Sequence, residues 1–352
     1  MATMRAAVVR EHGGYDKVRV ERIPRPELEA PDEAIVRVAA CALNRLDLFA
    51  RRGLTGPGVR GVHLPSITGV DVAGEVDEVG SAVENVAPGD RVVIYPSLSC
   101  GVCEACERGE QTMCRRYRIF GEDTDGGLAE YCRIPARNLE RLPESVSFVD
   151  AAAVPVAATT TWRMLKVAGL KPTDRVLVLG AGGGVGSAAV QLAHACGAVV
   201  FAVTRGQMRV DALRRLGAQR VIDRAREAFE AVVASETDGR GVDIIINPVG
   251  GNTWRSAIKS LAMGGRMAIC GATIGDTPEL SIREIYQSHR QILGAPMGNR
   301  ADFREVLDLL YRGAFKPAVH AVLPLEEIAE AHRLLEEGEA FGKVVIGVSE
   351  AG

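Results

Sequence analysis

Two patterns of apolar and polar positions divide the chain. Up to about residue 155 they alternate over short stretches: Lys17–Arg22 sets charged residues against Val18 and Val20, Ala34–Ala40 puts Val36 and Val38 on one face, and Arg91–Tyr95 follows a Pro88-Gly89-Asp90 turn. A period of two, punctuated by Gly and Pro, predicts antiparallel strands with one face on a core. From about residue 156 the apolar positions run together instead, at Val176–Leu179, Ala198–Val203, Val242–Ile246, Met267–Cys270 and Gln291–Leu293, with helix-compatible stretches between them. Such runs suit strands buried on both faces, and their alternation with helices predicts a parallel, doubly wound α/β sheet. Past residue 300, Phe303, Val306, Leu307 and Leu310 mark one helix face. Leu325, Ile328 and Leu335 mark another that ends at Gly338, and Val344–Ile346 reads as a closing strand that returns to the first region.

The first apolar run leads into Gly180-Ala181-Gly182-Gly183-Gly184-Val185-Gly186 and then into a helical stretch, Ser187–Ala193. Strand, glycine turn and helix make a phosphate cradle, because the amides at a helix start are donors without intrahelical partners and the helix dipole adds positive potential. The best register against G-x-G-x-x-G sets Ala181, Gly183 and Gly186 at its three positions. No Asp, Glu, Lys or Arg occurs from Val176 to Thr204, so a membrane span is the competing reading. The glycines in its middle, with Ser187, Gln191 and His194, argue against it.

Length and charge narrow the picture. A chain of 352 residues with 47% apolar content supports about two domains. A net charge of -3 gives no footprint for nucleic acid, and the first ten residues hold Arg5 and Arg10 without the long apolar run of a secretion signal. A cytoplasmic protein without membrane or nucleic-acid partners is expected. Four of the eight cysteines, Cys100, Cys103, Cys106 and Cys114, are spaced C-x2-C-x2-C-x7-C. Four thiolates so placed surround one tetrahedral Zn²⁺ and leave no open position, which predicts a structural metal; two disulfides, disfavoured in a reducing compartment, or free thiols are the alternative. Cys41, Cys132, Cys196 and Cys270 are scattered and read as small hydrophobes.

The β-rich first region, the glycine-turn region and the four-cysteine lobe together resemble the medium-chain dehydrogenase/reductase superfamily. Gly69-Val70-Asp71-Val72-Ala73-Gly74-Glu75-Val76, Gly126-Gly127-Leu128-Ala129-Glu130-Tyr131 and Phe341-Gly342-Lys343-Val344-Val345 fit it in order. The resemblance implies a Rossmann domain, residues 156–299, inserted in a GroES-like antiparallel β catalytic domain, residues 1–155 with 300–352 returning to it. It also implies an active site in the cleft between them and a homodimer or homotetramer.

Departures from the alcohol dehydrogenase branch carry the functional expectation. The three catalytic-zinc positions of that branch fall on Asn44, Val70 and Val156, which make no zinc ligand set. Sliding the register to Cys41 restores no His at position 70. Asn44-Arg45-Leu46-Asp47 instead looks like the quinone oxidoreductase and enoyl reductase branches, although these usually lack the cysteine lobe. Asn44 and Asp47 are therefore the expected catalytic residues: Asn44 as a hydrogen-bonding partner of a substrate carbonyl or of the cofactor ribose, Asp47 as support for the site. Each also suits a helix start. Related ene reductases often carry a Tyr near here; with Phe49 in this chain, no side-chain proton donor stands out and water becomes a candidate proton source. Arg51, Arg52 and Arg60 suit either coenzyme A phosphates or plain solvation.

The resemblance brings Thr160, Gly271, Ala272 and Met297 to the cofactor, with Met297 at the substrate pocket unless it only packs, and gives Lys343 to the pyrophosphate. Thr204-Arg205-Gly206, with Arg209 one turn on, stands where an acidic residue would bind the adenine ribose, so the cofactor is expected to be NADPH. The chain thus reads as an NADPH-dependent reductase of an enone, quinone or enoyl thioester. A zinc-type alcohol dehydrogenase and an NADPH-binding protein without turnover are the alternatives.

Overall fold

The computed structural model describes residues 2–54 and 61–349. The chain separates into two compact units, Met1–Val156 with Asn299–Gly352, and Ala157–Gly298.

In the first unit a seven-stranded sheet runs in the order Leu139–Arg141, Arg91–Ile94, Asp71–Val79, Glu33–Ala42, Lys343–Gly347, Val319–Pro324, with Tyr131–Pro135 paired alongside Glu33–Ala42. A three-stranded sheet of Val18–Pro24, Thr3–Val9 and Ser66–Ile67 accompanies it. The alternating residues do what their period requires: Val36, Val38, Val72, Val76, Val92 and Ile134 enter one core with Met4, Ala6 and Val8. The closing strand does return, pairing antiparallel with Glu33–Ala42 through Val345↔Ala42 and Ile346↔Cys41. Asp71, the first residue of its own strand, sits opposite Ala42 on the other side. One sheet therefore brings the start of the last strand, the exit of Glu33–Ala42 and the start of Asp71–Val79 to one place.

The second unit is a six-stranded parallel sheet in the order Arg220–Asp223, Val199–Thr204, Arg175–Val178, Val242–Asn247, Leu261–Ile269, Gln291–Gly294. By order of appearance this is 3-2-1-4-5-6, whose reversal beside the first strand makes the crevice where dinucleotides bind in such sheets. The core holds Leu177, Phe201, Ile222, Ile245, Trp254 and Met267. Several elements differ from expectation, among them the strand Leu261–Ile269, which begins well before the expected Met267. The helix after the glycine turn is Gly184–Ala195, three residues earlier than Ser187, because glycines without side chains still continue the helical hydrogen bonding. The strand Arg220–Asp223 has no counterpart in the apolar pattern, since only Val221 and Ile222 carry it. Among the described residues no helix is long and apolar enough to cross a membrane.

Candidate active site

The glycine turn is built for a close approach. Gly180 has φ +62°, a left-handed conformation, and a Cβ on Gly186 would lie 2.3 Å from the carbonyl oxygen of Gly180 and 2.5 Å from the Cα of Ala181. Only glycine lets the helix start press on the strand's exit at that point. Ser187 N donates to Gly183 O at 2.8 Å as the helix begins, so the amides of Gly184, Val185 and Gly186 have no intrahelical acceptor, a geometry that suits an anion. Thr160 and Met297 come together in the same unit, Thr160 Oγ1 lying 4.0 Å from Met297 Sδ. Met297 has φ +53°, a conformation costly for a non-glycine residue and concentrated at ligand sites. Gly271 and Ala272 follow the strand Leu261–Ile269, and a Cβ on Gly271 would lie 2.9 Å from Pro248 O.

At the end of the second strand, Arg205 and Arg224 with Ala225 line a pocket of about 330 Å³. Thr204 is buried, and its carbonyl accepts from the Arg224 amide at 3.0 Å. Arg209 lies over the glycine turn, its Cδ 3.1 Å from where a Gly182 Cβ would be. Arg224 was not expected from the sequence; the only signal for it is that a guanidinium follows an edge strand too short to recognise. A carboxylate is also close. Asp223 Oδ1 accepts from Ala225 N at 3.0 Å and Gly206 N at 3.3 Å, and these amides, Ala225 foremost, hold its carboxyl below the usual range.

In the first unit Asn44 precedes the helix Arg45–Arg52. Asp47 Oδ2 accepts the amide of Asn44 at 2.7 Å, and Oδ1 accepts the amide of Gly69 at 2.8 Å. Gly69 has φ +104°, and a Cβ there would meet Leu128 N at 2.6 Å and Cys41 Sγ at 2.8 Å. Asp47 is thus a brace between the helix start and the Gly69 turn, with each oxygen taken by an amide, and not a group poised over a substrate. Burial pushes its carboxyl up to about 6 against the pull of the Asn44 and Gly69 amides. Lys343, expected at the pyrophosphate, is committed elsewhere. Its ammonium donates to Asn44 Oδ1 at 2.6 Å, Asp71 Oδ2 at 2.8 Å and Leu43 O at 2.8 Å. Asp71 Oδ1 accepts the amide of Val156 at 2.8 Å. Asn44 and Val156, which the resemblance set at zinc-ligand positions of the alcohol dehydrogenase branch, are therefore joined through Asp71 and a buried ammonium. Sequence reasoning passed over Asp71, although it stands beside Val70 in the same motif.

The arginines after this motif have structural partners. Arg51 is 0% exposed, pairs with Glu336 and sets Nη1 3.5 Å from His332 Nδ1. Arg52 Nη1 stands 3.5 Å from the other oxygen of Glu336. The Arg51 guanidinium, so enclosed, is not available to a coenzyme A phosphate, whereas Arg52 is half exposed; Arg60 lies outside the described residues.

The cysteine lobe fits one metal ion. Neighbouring sulfurs are 3.6 to 3.9 Å apart, Cys103–Cys106 and Cys114–Cys100 at 3.6 Å, Cys103–Cys114 at 3.8 Å and Cys100–Cys106 at 3.9 Å. A tetrahedron with Zn–S bonds of about 2.3 Å has edges of roughly 3.8 Å. Cys114 Sγ also accepts the amides of Arg116 at 3.3 Å and Cys100 at 3.4 Å, and the Val102 amide pulls the Cys100 thiol down to about 6. Among the described residues this is the one group of three or more His, Cys, Asp or Glu whose ligand atoms converge on a metal position. Asn299 pins the lobe, its Oδ1 accepting from Thr112 N at 3.1 Å and its Nδ2 donating to Glu110 at 2.8 Å.

Known proteins agree with this architecture. The alcohol dehydrogenase GroES-like domain model matches residues 30–144, and the zinc-binding dehydrogenase model matches residues 184–312. An alcohol dehydrogenase of Geobacillus stearothermophilus is 33% identical over 98% of this chain and 100% of its own. An acryloyl-coenzyme A reductase of Metallosphaera sedula is 32% identical over 97% and 99%. A crystal structure of an NAD-dependent alcohol dehydrogenase superposes with a TM-score of 0.93 at 41% identity, covering 98% of this chain and 100% of that one. The chain belongs to the medium-chain dehydrogenase/reductase superfamily, a family of oxidoreductases that includes both alcohol dehydrogenases and enoyl thioester reductases.

Proposed function

We propose that this protein is an NADPH-dependent reductase of a carbon–carbon double bond or quinone conjugated to a carbonyl, working without a catalytic zinc. The observation that carries the reading is the donor set at the alcohol dehydrogenase zinc positions. Asn44, Val70 and Val156 offer no imidazole, thiolate or carboxylate, and a lysine ammonium is bonded to Asn44 there. Oxidising an alcohol requires loss of a proton with a pKa far above 7, a task for a Lewis acid. An enone or enoyl thioester brings its own electrophile, and its developing enolate needs only neutral donors. Bound NADPH supplies a hydride from nicotinamide C4 to the β-carbon. Asn44 Nδ2 donates to the enolate oxygen, Asp47 holds Asn44 and the Gly69 turn in place, and water delivers the α-proton. The basic pocket of Arg205 and Arg224, with Arg209 nearby, supports the choice of NADPH, and the acryloyl-coenzyme A reductase relative supports an enoyl thioester among the acceptors.

The alcohol dehydrogenase relatives favour a second reading, zinc-dependent oxidation of an alcohol. NADPH oxidation screened across quinones, enones, acyl-coenzyme A thioesters and aldehydes separates the two. Turnover with an enone, quinone or enoyl thioester is expected. Alcohol oxidation abolished by a chelator, with no such reduction, overturns the proposal.

A further inference from the structure

The ammonium of Lys343 has no donor left for a ligand. An ammonium carries three N–H groups and no acceptor, and Asn44 Oδ1, Asp71 Oδ2 and Leu43 O take all three at 2.6, 2.8 and 2.8 Å. The pair with Asp71 is enclosed, with side chains 4% and 0% exposed, and the second oxygen of Asp71 is held by the Val156 amide at 2.8 Å.

This arrangement decides which way the Asn44 amide points. Flipping the amide would set its NH₂ against the ammonium, donor against donor, so Oδ1 must face Lys343. Nδ2 then lies on the other side, where its contact is Ala42 O at 3.4 Å, near the limit for a hydrogen bond. Its second proton has no partner among the described residues. A chain of fixed contacts thus runs from the Val156 amide through Asp71 and Lys343 to Asn44, and it ends on an aimed donor.

We propose that Lys343 is a positioning residue that locks the Asn44 amide with Nδ2 presented to the enolate oxygen, and that it does not bind the cofactor phosphates. The inference rests on the proposed role of Asn44 in the reduction. Preorganising such a donor matters because a hydrogen bond aimed in advance costs no reorganisation as charge develops.

A double-mutant cycle tests it, using the full-length protein, NADPH and the best acceptor of the wild type. Lys343→Met alone strands the buried Asp71 carboxylate, so Asp71→Asn/Lys343→Met, which removes both charges, is measured beside it, with thermal midpoints to establish folding. The folded double variant should bind NADPH within about threefold of wild type by fluorescence titration, while kcat falls roughly 10²-fold, toward the level of Asn44→Ala. Adding Asn44→Ala to it should slow turnover no further, and Lys343→Arg, which keeps donors facing Oδ1, should retain most of kcat. A tenfold weaker NADPH affinity with kcat preserved would make Lys343 a phosphate ligand and overturn the inference. So would full additivity with Asn44→Ala. An Asn44→Ala variant as fast as wild type removes the underlying role of Asn44 as well, which distinguishes that failure from a failure of the lysine alone.

Discussion

The Arg224 amide donates to the Thr204 carbonyl at 3.0 Å, so the residues that leave two adjacent parallel strands, Arg205 and Arg224, face one pocket. On the proposed reading this pocket receives the adenine ribose, where two guanidiniums would bind a 2′-phosphate more strongly than a 2′-hydroxyl.

Arg205→Ala and Arg224→Ala should therefore each weaken NADPH binding by about 1.5–3 kcal/mol, the contribution of a hydrogen bond to a charged group. Binding of NADH should be nearly unchanged. Titration of both cofactors into both variants checks this. Equal catalytic efficiency of the wild type with NADPH and NADH would reject the assignment, and would point to Asp223 as the residue that governs the site.

Protein purified without chelator should contain one zinc per chain, held by Cys100, Cys103, Cys106 and Cys114. Burial holds the Cys106 thiol up at about 11 before metal binds, so loading should release protons and weaken in acid. Cys106→Ser should lower the thermal midpoint, with activity falling only as the folded fraction falls. Metal analysis giving two zincs, or none, contradicts this.

Asn44→Ala should lower kcat by roughly 10² to 10³-fold, the measured range for losing one donor to a developing oxyanion, with NADPH affinity little changed. Reduction in D₂O with unlabelled NADPH should put deuterium at the α-carbon, from an exchangeable proton source, and protium at the β-carbon, from the hydride. Mass and NMR analysis of the product reads both positions, and deuterium at the β-carbon defeats the mechanism.

Burial, with Arg51 adding to it, pushes His332 down to about 3 from its ordinary 6.5. Between those values the unfolded chain binds the extra proton, so stability is present above pH 6.5 and is lost as pH falls toward 3, by up to ~1.4 kcal/mol per pH unit. Asp47 works the other way between 3.8 and about 6, where the folded state holds the proton. The two slopes oppose each other in the wild type. In His332→Gln the Asp47 slope remains alone, so the variant should gain on the wild type as the buffer is taken from pH 7 to pH 5. Unfolding midpoints of both proteins at the two pH values measure it, and a constant difference would show that His332 is not held neutral.

What the sequence determined by itself is local. The cysteine lobe is readable because four ligands within fifteen residues must lie close whatever surrounds them. The glycine turn is readable because the steric need for Gly180 and Gly186 arises between residues of one short segment. The parallel α/β character follows from continuous apolar runs alternating with helices, each a property of its own segment, although the strand Arg220–Asp223 left no such run.

The tertiary structure decided what depends on register and on which strands are neighbours. Lys343 reaches Asn44 and Asp71 because Val345 pairs with Ala42 and Ala42 with Asp71, and a shift of one residue would turn the lysine to the opposite face of the sheet. Arg51 reads as an exposed helix-end cation until the helix Ile328–Glu336 sets Glu336 and His332 against it. Arg224 joins Arg205 only through the pairing of Thr204 with Asp223. Each contact joins segments that chain order leaves far apart or unpaired, and the free energy that brings them together is the burial of Val36, Val72 and Ile222 in the cores, with the polar groups carried to their partners by the sheets that those side chains hold.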